Sequence, residues 1–449
     1  MQQVDGTGGK RTAPHAGSAH ALSRAQLWAY CIYAVPLIAT TAAIGSFIPP
    51  YYSQTFGMPL ALVASSLLLI RIIDAICDPL IGLAIDHAPF RQKHRPWLLI
   101  ALPIYLVAVT LLFMPIERLV GSPYLIAVGG AVYIAFTIGM IVHQAWAAAI
   151  TDEPRTLSRL FGYREVAVIA GILGVFGLVA GASHFYGSDI AAQARTAAIF
   201  ILVSITLCTI ITWLFTPDRD ALGAKKPTIS WAVLRPFLLN RDFVLLSLAI
   251  LIYNSAWTAM GTMGFFVAQH LYGAAKYFAL SLALTFAIAP FGMAAWMRIA
   301  DRLGDKATLR TACIFLALSI ALLPFATRFG AAGLFAIQIL MGLGFGAGPY
   351  LFRSITGILA NAYIAKEGYE VRGAAFAMTN FFDKLGSGLG ASALLPLAWF
   401  GFDPQAGIDA SAKQALLVIA TAAPLAGFIV TALLSHMLRA GGAVPSDQA

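Results

Sequence analysis

The sequence contains few charged residues. Only 11% of its 449 residues are Asp, Glu, Lys or Arg, whereas 59% are hydrophobic. A soluble domain carries about 25% charged residues, so this composition argues against a large soluble protein. The mean hydropathy is +0.81. Apolar runs of about 20 residues recur from one end of the chain to the other and indicate a polytopic membrane protein.

The sequence also lacks the marks of an enzyme, a disulfide-bonded protein and a nucleic-acid-binding protein. No hydrolase, zinc-protease or phosphate-loop motif occurs, so we predict no enzymatic activity and no cofactor. The four cysteines lie in apolar runs without metal-ligand spacing, and we expect buried free thiols. The net charge is +9, but the basic residues lie in the short gaps between apolar runs, so we predict no nucleic-acid partner.

The apolar runs predict an all-α membrane protein with twelve transmembrane helices in two six-helix bundles. The cores of these spans are residues 26–50, 58–86, 97–116, 121–150, 161–184, 190–216, 241–269, 275–300, 308–327, 331–360, 371–400 and 412–438. The longest gap is polar and basic and separates six spans from six. We therefore predict a disordered cytoplasmic tail, a first bundle, a cytoplasmic linker, a second bundle and a second tail at residues 1–23, 24–216, 217–240, 241–440 and 441–449. The first tail lacks the apolar core of a signal peptide.

The basic residues predict the topology. Most of the 29 Lys and Arg residues fall at the termini and in alternate gaps. The gaps on the opposite side hold only Arg118, Arg195, Lys276, Arg328 and Lys413. By the positive-inside rule, both termini lie in the cytoplasm and the protein spans the cytoplasmic (inner) membrane. We expect a monomer, because such a fold encloses its own pathway.

Two aspartates, Asp74 and Asp78, lie four residues apart within span 2. Positions i and i+4 share a helix face, and Arg71 lies one turn earlier on nearly the same side. An ionised carboxylate in hydrocarbon costs at least ~2.5 kcal/mol, so two together indicate a polar cavity and a shared cation. Oxygen ligands suit Na⁺, and a proton held by one acid of the pair is the alternative. The competing interpretation is a structural salt bridge to Arg71 or Lys384.

An acid at a helix end followed by a basic turn occurs twice in the chain. Asp86 and Arg95 follow span 2, and Asp301 and Arg302 follow span 8. Spans 2 and 8 hold the same place in their halves, which indicates an internal repeat. We predict that these four residues form a cytoplasmic gate, and ordinary topology charge is the alternative.

These segments resemble a known family. The turn from Asp301 to Lys306 resembles the loop signature of the major facilitator superfamily. The segment from span 2 onward resembles, more specifically, the glycoside–pentoside–hexuronide:cation symporters, the melibiose permease family, through Arg71, Asp74, Asp78-Pro79, Gly82, Asp86 and Arg95-Pro96-Trp97. Weaker likenesses follow at Thr151–Glu165, Tyr253-Asn254, Arg372-Gly373 and Lys384-Leu385-Gly386.

The resemblance implies the major facilitator fold and a set of cation ligands. In that family two span-2 carboxylates coordinate the coupling cation, Na⁺ or H⁺, together with a threonine of span 4 and a lysine of span 11. These roles fall on Asp74, Asp78, Thr137 and Lys384, with the two aspartates as direct ligands of a sodium ion. Lys384 is expected to neutralise the acid pair when the cation leaves.

The chain departs from the family at the sugar site. Ile38 and Met140 match the family's two sugar-binding aspartates, and Val142-His143 replaces a Pro-aromatic pair. Asn361 replaces an acid of the span-10 signature, whereas the matching arginine, Arg164, is present. The resemblance therefore implies the transport scaffold and the cation site but not galactoside specificity.

A further set of residues is predicted to line the substrate cavity. These are Tyr33, Arg71, His143, Gln144, Arg164, Tyr253, Asn254, Trp257, Arg353 and Asn380. The alternatives are hydrogen bonds between helices for the histidine and glutamine, and packing for the aromatic residues. The glycine-rich run 342–349 either bends its helix beside the cavity or allows close helix packing.

The leading functional hypothesis is cation-coupled symport of a glycoside or related polar solute by alternating access, with the solute and the lipid bilayer as partners. A carrier of a lysolipid or other amphipathic substrate on the same scaffold is the alternative. A non-transporting membrane sensor or enzyme is a third class, in which the acid pair would be idle.

Overall fold

The computed structural model describes residues 22–90, 92–186, 189–218, 231–394 and 410–439. Residues 1–21 of the first predicted tail, the second predicted tail, half of the predicted linker and the end of predicted span 11 lie outside these residues. The main helices are α1 Arg24–Cys31, α2 Ala34–Phe56, α3 Leu60–His87, α4 Arg95–Phe113, α5 Ser122–Ile150, α6 Pro154–Tyr186, α7 Ile190–Phe215, α8 Trp231–Leu238, α9 Arg241–Phe266, α10 Phe278–Leu303, α11 Asp305–Ala321, α12 Leu323–Ala326, α13 Gly330–Gly344, α14 Ala347–Glu367, α15 Arg372–Ala391 and α16 Ala410–Met437.

Each predicted span falls on a helix or on two consecutive helices, but the helix ends differ from the predicted ones. Helix α6 begins at Pro154 instead of 161, and α14 ends at Glu367 instead of 360. Hydropathy detects only the apolar core of a helix, whereas capping sets its ends. Ten stretches of the described residues are long and apolar enough to cross a membrane, and one of these, Asp305–Glu367, contains several helices.

Within the described residues, three of the predicted spans fall on two α-helices each, and span 9 is one of them, because α11 and α12 are separated at Leu322. Span 1 consists of α1 and α2, which are separated at Ile32 and Tyr33. Span 10 consists of α13 and α14, which are separated at Phe345 and Gly346, where Gly346 has a φ of 81°. Only glycine adopts that left-handed conformation without strain, so the glycine-rich run does bend the chain here. The same run also packs closely, because Gly342 lies against the backbone of Thr285.

The helices form two groups. Helices α1 to α7 pack mainly on one another, and α9 to α16 do the same. The groups meet where α3 packs on α15, where α6 packs on α10 and α14, and where α5 packs on α14 and α15. All four cysteines are free thiols. The structure therefore places the acid-bearing helix α3 at the interface between the groups.

Helix α3 has two chemically different faces. Leu68, Ile76 and Leu80 are each more than 60% exposed on its outer face. Asp74 and Asp78 are 1% and 0% exposed on its inner face. An exposed apolar face in a chain of this hydropathy is suited to contact lipid. The acids lie on the opposite face and are directed into the protein.

The helices α3 and α15 approach most closely at a pair of glycines. A Cβ atom added at Gly82 would lie 2.5 Å from the carbonyl oxygen of Gly373 and would also overlap Ala377. Small residues at such crossings let two backbones approach each other. The contact lies one turn before the end of α3, on the same side of the molecule as the start of α15.

We predict that Gly82→Ala destabilises the protein, because the added methyl group meets backbone that has no room to move. Overpacking of this kind costs about 1–3 kcal/mol. The matched control is Gly130→Ala in α5, where an added Cβ meets nothing within 4 Å. Thermal unfolding in detergent should show a lower melting temperature for Gly82→Ala and an unchanged or higher one for Gly130→Ala. A Gly82→Ala protein that melts at or above the parent temperature contradicts the close approach.

Candidate functional site

The two acids of α3 and a lysine of α15 form a charged cluster. Lys384 Nζ lies 2.7 Å from Asp74 Oδ2 and 2.7 Å from Asp78 Oδ1. Thr137 of α5 donates its hydroxyl hydrogen to Asp74 Oδ1 at 2.6 Å. The i and i+4 spacing places both carboxylates on one helix face, so a single ammonium group reaches both. The structure thus brings together the four residues predicted as cation ligands.

Two buried carboxylate oxygens of this cluster, Asp74 Oδ2 and Asp78 Oδ2, accept no hydrogen bond from the described residues. Asp74 Oδ2 still forms an ion pair with the Lys384 ammonium at 2.7 Å. A buried acceptor without a donor is costly, because it has lost its water. Two carboxylates and one ammonium also leave the cluster with one net negative charge. The oxygen set and the charge both suit one further monovalent cation.

Arg71 neither pairs with the acids, as the salt-bridge interpretation allowed, nor lines the cavity described below. Its guanidinium carbon lies 4.6 Å from the ring centroid of Tyr133 in α5, a cation–π contact. The side chain is exposed. Lys384 already occupies the space between the two carboxylates, and the long arginine side chain extends away from them.

A central cavity of about 240 Å³ lies between the two helix groups. Four of the predicted cavity residues line it: Arg164, Asn254, Arg353 and Asn380. Ile38 and Met140, which replace the sugar-binding aspartates of the family, line it as well. Asp74, Asp78 and Lys384 do not line this cavity, but Lys384 lies on α15, the helix that contributes Asn380 and Asp383 to its wall.

The other predicted cavity residues lie behind the wall or elsewhere. Tyr33 and Tyr253 are each 2% exposed and pack against glycines, at Gly139 and Gly348. Trp257 stacks parallel to Tyr253. The tyrosines occupy inward helix faces, but neighbouring helices cover those faces.

His143 and Gln144 are also fully buried behind the wall. His143 Nε2 is 2.8 Å from the carbonyl oxygen of Tyr30, whose ring stacks on the imidazole. Gln144 Oε1 accepts a hydrogen bond of 2.9 Å from Asn380. Both side chains thus make contacts between helices, and each touches a residue of the cavity wall, since Arg164 Nε lies 3.3 Å from His143 Nδ1.

An acid that the prediction omitted joins the two helix groups across the cavity. Glu165 of α6 accepts hydrogen bonds from Arg164 at 2.8 Å and from Arg353 of α14. Its side chain is 6% exposed. The segment Thr151–Glu165 stood out in the sequence, but no sequence pattern indicates that Arg353 lies opposite.

The helix groups are joined at the end of the molecule that carries Arg24 and Arg439, here called the closed end. Asp86 of α3 accepts hydrogen bonds from the backbone N–H groups of Gly373 and Ala374 at 2.7 and 2.8 Å. These are orphan donors of the first turn of α15, whose own N-cap residue, Val371, has no polar side chain. Asp86 therefore caps a helix of the opposite group.

Further polar contacts cross the closed end. Arg159 donates two hydrogen bonds of 3.0 Å to Asp301. Asn361 donates to the carbonyl oxygen of Ala148 at 2.9 Å. Ser158 donates to Asp305 at 2.6 Å. Together with Asp86, these contacts seal the interface on this side of the cavity.

Glu370 and Lys93 add an ion pair of 3.7 Å across the same end. Burial acts to raise the pKa of Glu370, but the positive charges of Arg372 and Lys93 outweigh it and hold this pKa below its ordinary value. The carboxylate therefore stays ionised at neutral pH and keeps its partners.

Two of the four predicted gate residues are part of this seal, and two are not. Asp86 and Asp301 cross the interface, although the partner of Asp86 is a helix end rather than a basic side chain. Arg95 stays within its own group, where it donates to the carbonyl oxygen of Thr216 at 2.9 Å. Arg302 is exposed. The basic partner that the sequence argument missed is Arg159, which lies on another helix.

Solved structures of transporters have the same arrangement of helices. A bacterial homologue of the iron transporter ferroportin in an outward-facing state aligns with a TM-score of 0.66 at 16% identity over 91% of this chain and 99% of that chain. The fucose:proton symporter FucP of E. coli aligns with a TM-score of 0.65 at 12% identity over 91% of this chain and 97% of that chain. The fold is therefore the all-helical major facilitator fold.

A family model described as MFS/sugar transport protein matches residues 29–439. The chain belongs to this family, among its members that resemble glycoside–pentoside–hexuronide:cation symporters. It is 24% identical over 400 residues, 86% of this chain and 85% of the relative, to the uncharacterized symporter YnaJ of Bacillus subtilis (strain 168). It is 28% identical over 131 residues, 28% of each chain, to the putative glycoside/cation symporter YagG of Escherichia coli (strain K12).

These findings define the class of the protein. It is a multi-pass integral membrane protein and a secondary transporter, and its family consists of transporters, not enzymes.

We predict that Asp86→Ala opens the closed end more than Asp301→Ala does. Losing a buried cap costs about 0.5–2 kcal/mol, whereas the Arg159–Asp301 pair is largely exposed and is worth about 0–1 kcal/mol. The reporter is Leu157→Cys, at a side chain that is 1% exposed and packs against Gly357. Its labelling by a maleimide should rise several-fold with Asp86→Ala and less than about twofold with Asp301→Ala. Equal labelling in the two backgrounds contradicts the capping role.

Proposed function

We propose that the protein is a cation-coupled symporter of a glycoside or related polar organic solute and that it works by alternating access. The observation that carries this proposal is the buried Asp74–Asp78–Lys384 cluster, whose lysine lies on the same helix as residues of the central cavity wall. Intramembrane acids are functional by default. The names of the relatives YagG, a putative glycoside/cation symporter, and FucP, a fucose:proton symporter, agree with this class.

We further propose that the structure represents an outward-facing state with twelve spans and both termini in the cytoplasm. The closed end carries most of the basic residues, which the positive-inside rule assigns to the cytoplasm. Polar contacts seal that end. The location is the inner membrane, in keeping with the name of the inner membrane symporter YicJ of Escherichia coli (strain K12), which is 32% identical over 27% of each chain.

In the proposed cycle Lys384 acts as a substitute for the coupling cation. Its ammonium holds the two carboxylates together when the cation is absent. A sodium ion enters between Asp74 and Asp78, with Thr137 beside it, or a proton binds one of the acids, and the cluster reaches electrical neutrality. Lys384 is then free to move away from at least one carboxylate.

The solute site responds because it shares a helix with the lysine. Asn380 lines the cavity one turn before Lys384 on α15. The same helix is capped by Asp86 at the closed end. A movement of α15 after cation binding therefore reaches both the cavity wall and the seal, and the helix groups rock around the bound solute. The glycoside is favoured over the lysolipid alternative by the names of the relatives.

We predict that Asp78→Asn abolishes gradient-driven uptake, because it removes one of the two carboxylates proposed to bind the cation. Parent protein and variant are compared in proteoliposomes with a panel of labelled neutral sugars, with and without an inward Na⁺ or H⁺ gradient. The parent should accumulate at least one sugar several-fold better with a gradient, and the variant should show only facilitated exchange. Glu117→Gln, an exposed acid between α4 and α5, is the matched control. Equal parent uptake with and without either gradient would reject coupling.

We also predict that Lys384→Met makes folding depend on cations. Without the ammonium the two buried carboxylates repel each other, and breaking such a buried pair costs about 3–5 kcal/mol. Thermal unfolding at neutral pH should show a lower melting temperature that high sodium or acid pH restores. The control is Lys366→Met, whose side chain is 80% exposed. If the Lys384→Met protein is as stable as its parent in sodium-free neutral buffer, the lysine does not compensate the acids.

A further inference from the structure

The cavity wall contains two acids, and only one of them forms a hydrogen bond or an ion pair with the described residues. Glu165 is held by Arg164 and Arg353. Asp383 lines the same cavity, is half-buried and forms neither a hydrogen bond nor an ion pair with the described part of the chain. A carboxylate at membrane depth is expensive unless a polar partner reaches it. The structure thus leaves one carboxylate open to the contents of the cavity.

Asp383 does not belong to the cation cluster. It precedes Lys384 on α15, and consecutive helical residues point about 100° apart. Lys384 points to Asp74 and Asp78, whereas Asp383 points into the cavity. Asp383 and Lys384 are therefore adjacent in the sequence but belong to different sites, the cavity and the cation cluster.

The wall also contains side-chain amide oxygens that are open acceptors. Asn254 and Asn380 use their amide N–H groups on Ile250 and Gln144. Their side-chain oxygens accept no hydrogen bond from the described residues. Thr379 directs its hydroxyl hydrogen to backbone carbonyl oxygens of its own helix. A ligand with hydroxyl groups fits this wall, because a hydroxyl donates to these oxygens and also accepts from the remaining N–H groups of Asn254, Asn380 and Arg353.

The charges of the wall balance one another. Arg164 and Arg353 are positive, and Glu165 and Asp383 are negative. The rings of Phe136, Phe345 and Phe352 supply apolar surface. A wall with no net charge, open acceptors and aromatic rings suits a neutral solute with many hydroxyl groups. It suits an acidic sugar less well, since the added carboxylate would give the occupied cavity a net negative charge.

We propose that Asp383 is the hydroxyl-binding carboxylate of the cavity and that it selects neutral polyhydroxylated solutes over acidic ones. Asp383 lies on α15 and supplies the sugar-binding carboxylate that Ile38 and Met140 of the same wall, which are apolar, cannot supply. This inference rests on the proposed glycoside transport. It adds that the substrate is neutral and that Asp383 recognises it.

The test uses the full chain in detergent and a panel of neutral mono- and disaccharides. The sugar that binds best is compared with its 6-carboxylate analogue. The parent should bind the neutral sugar at least about tenfold more tightly. Asp383→Asn should weaken neutral-sugar binding about tenfold, the effect expected for a hydrogen bond to a charged group. Asp383→Asn should also reduce the ratio of the affinity for the neutral sugar to that for the acidic analogue, because the cavity wall then has a net positive charge.

Two controls separate recognition from folding. Sodium or acid pH should raise the melting temperature of Asp383→Asn as it does that of the parent, because the cation cluster is untouched. If the asparagine variant folds poorly, Asp383→Ser replaces it, and the same result is expected. Glu117→Gln, which also removes one negative charge, should leave sugar binding unchanged.

Each negative outcome has its own meaning. If the parent binds neutral sugar and Asp383→Asn binds it equally well, this inference falls and the proposed function stands. If the variant loses both sugars together with the response to cations, Asp383 has a structural role. If the parent binds no sugar with or without sodium, the proposed function falls and this inference falls with it.

Discussion

The arrangement of this protein depends on one contact among three charges, the ammonium of Lys384 between the carboxylates of Asp74 and Asp78. Two buried carboxylates without a counter-charge would each carry a desolvation cost of several kcal/mol in addition to their repulsion. Because the lysine belongs to α15 and the acids to α3, the contact also joins the two helix groups. Any ion that replaces the ammonium therefore changes what holds the groups together.

Helix α15 connects the cation cluster, the cavity and the closed end. It meets α3 at the charge cluster, at the Gly82–Gly373 approach and at the Asp86 cap. Between these points its residues Asn380 and Asp383 form part of the cavity wall. A packed helix moves as a rigid body rather than bending freely, so a change at one of these places is transmitted to the others.

The sequence was sufficient for features that depend on local spacing or hydropathy. The helices and the shared face of Asp74 and Asp78 follow from periodicity, whereas Thr137 and Lys384 required the family resemblance. The sequence did not show which residues far apart in the chain contact each other. The partner of Asp86 is a pair of backbone N–H groups, which cannot be recognised from residue types. Arg71 lies on nearly the same side of its helix as the acids, but its long side chain extends to Tyr133. Tyr33 and Tyr253 face inward, but helix packing decides which inward faces border a cavity.

The most direct test of the account is the number of cations taken up by the purified chain. Equilibrium binding of radioactive sodium, and proton uptake on adding sugar in sodium-free buffer, are measured with the parent protein and with Asp74→Asn/Asp78→Asn. We expect one cation per chain, either sodium or a proton, and none in the double variant. No uptake under either condition, or uptake that persists without both carboxylates, would contradict the exchange of the Lys384 ammonium for a coupling ion.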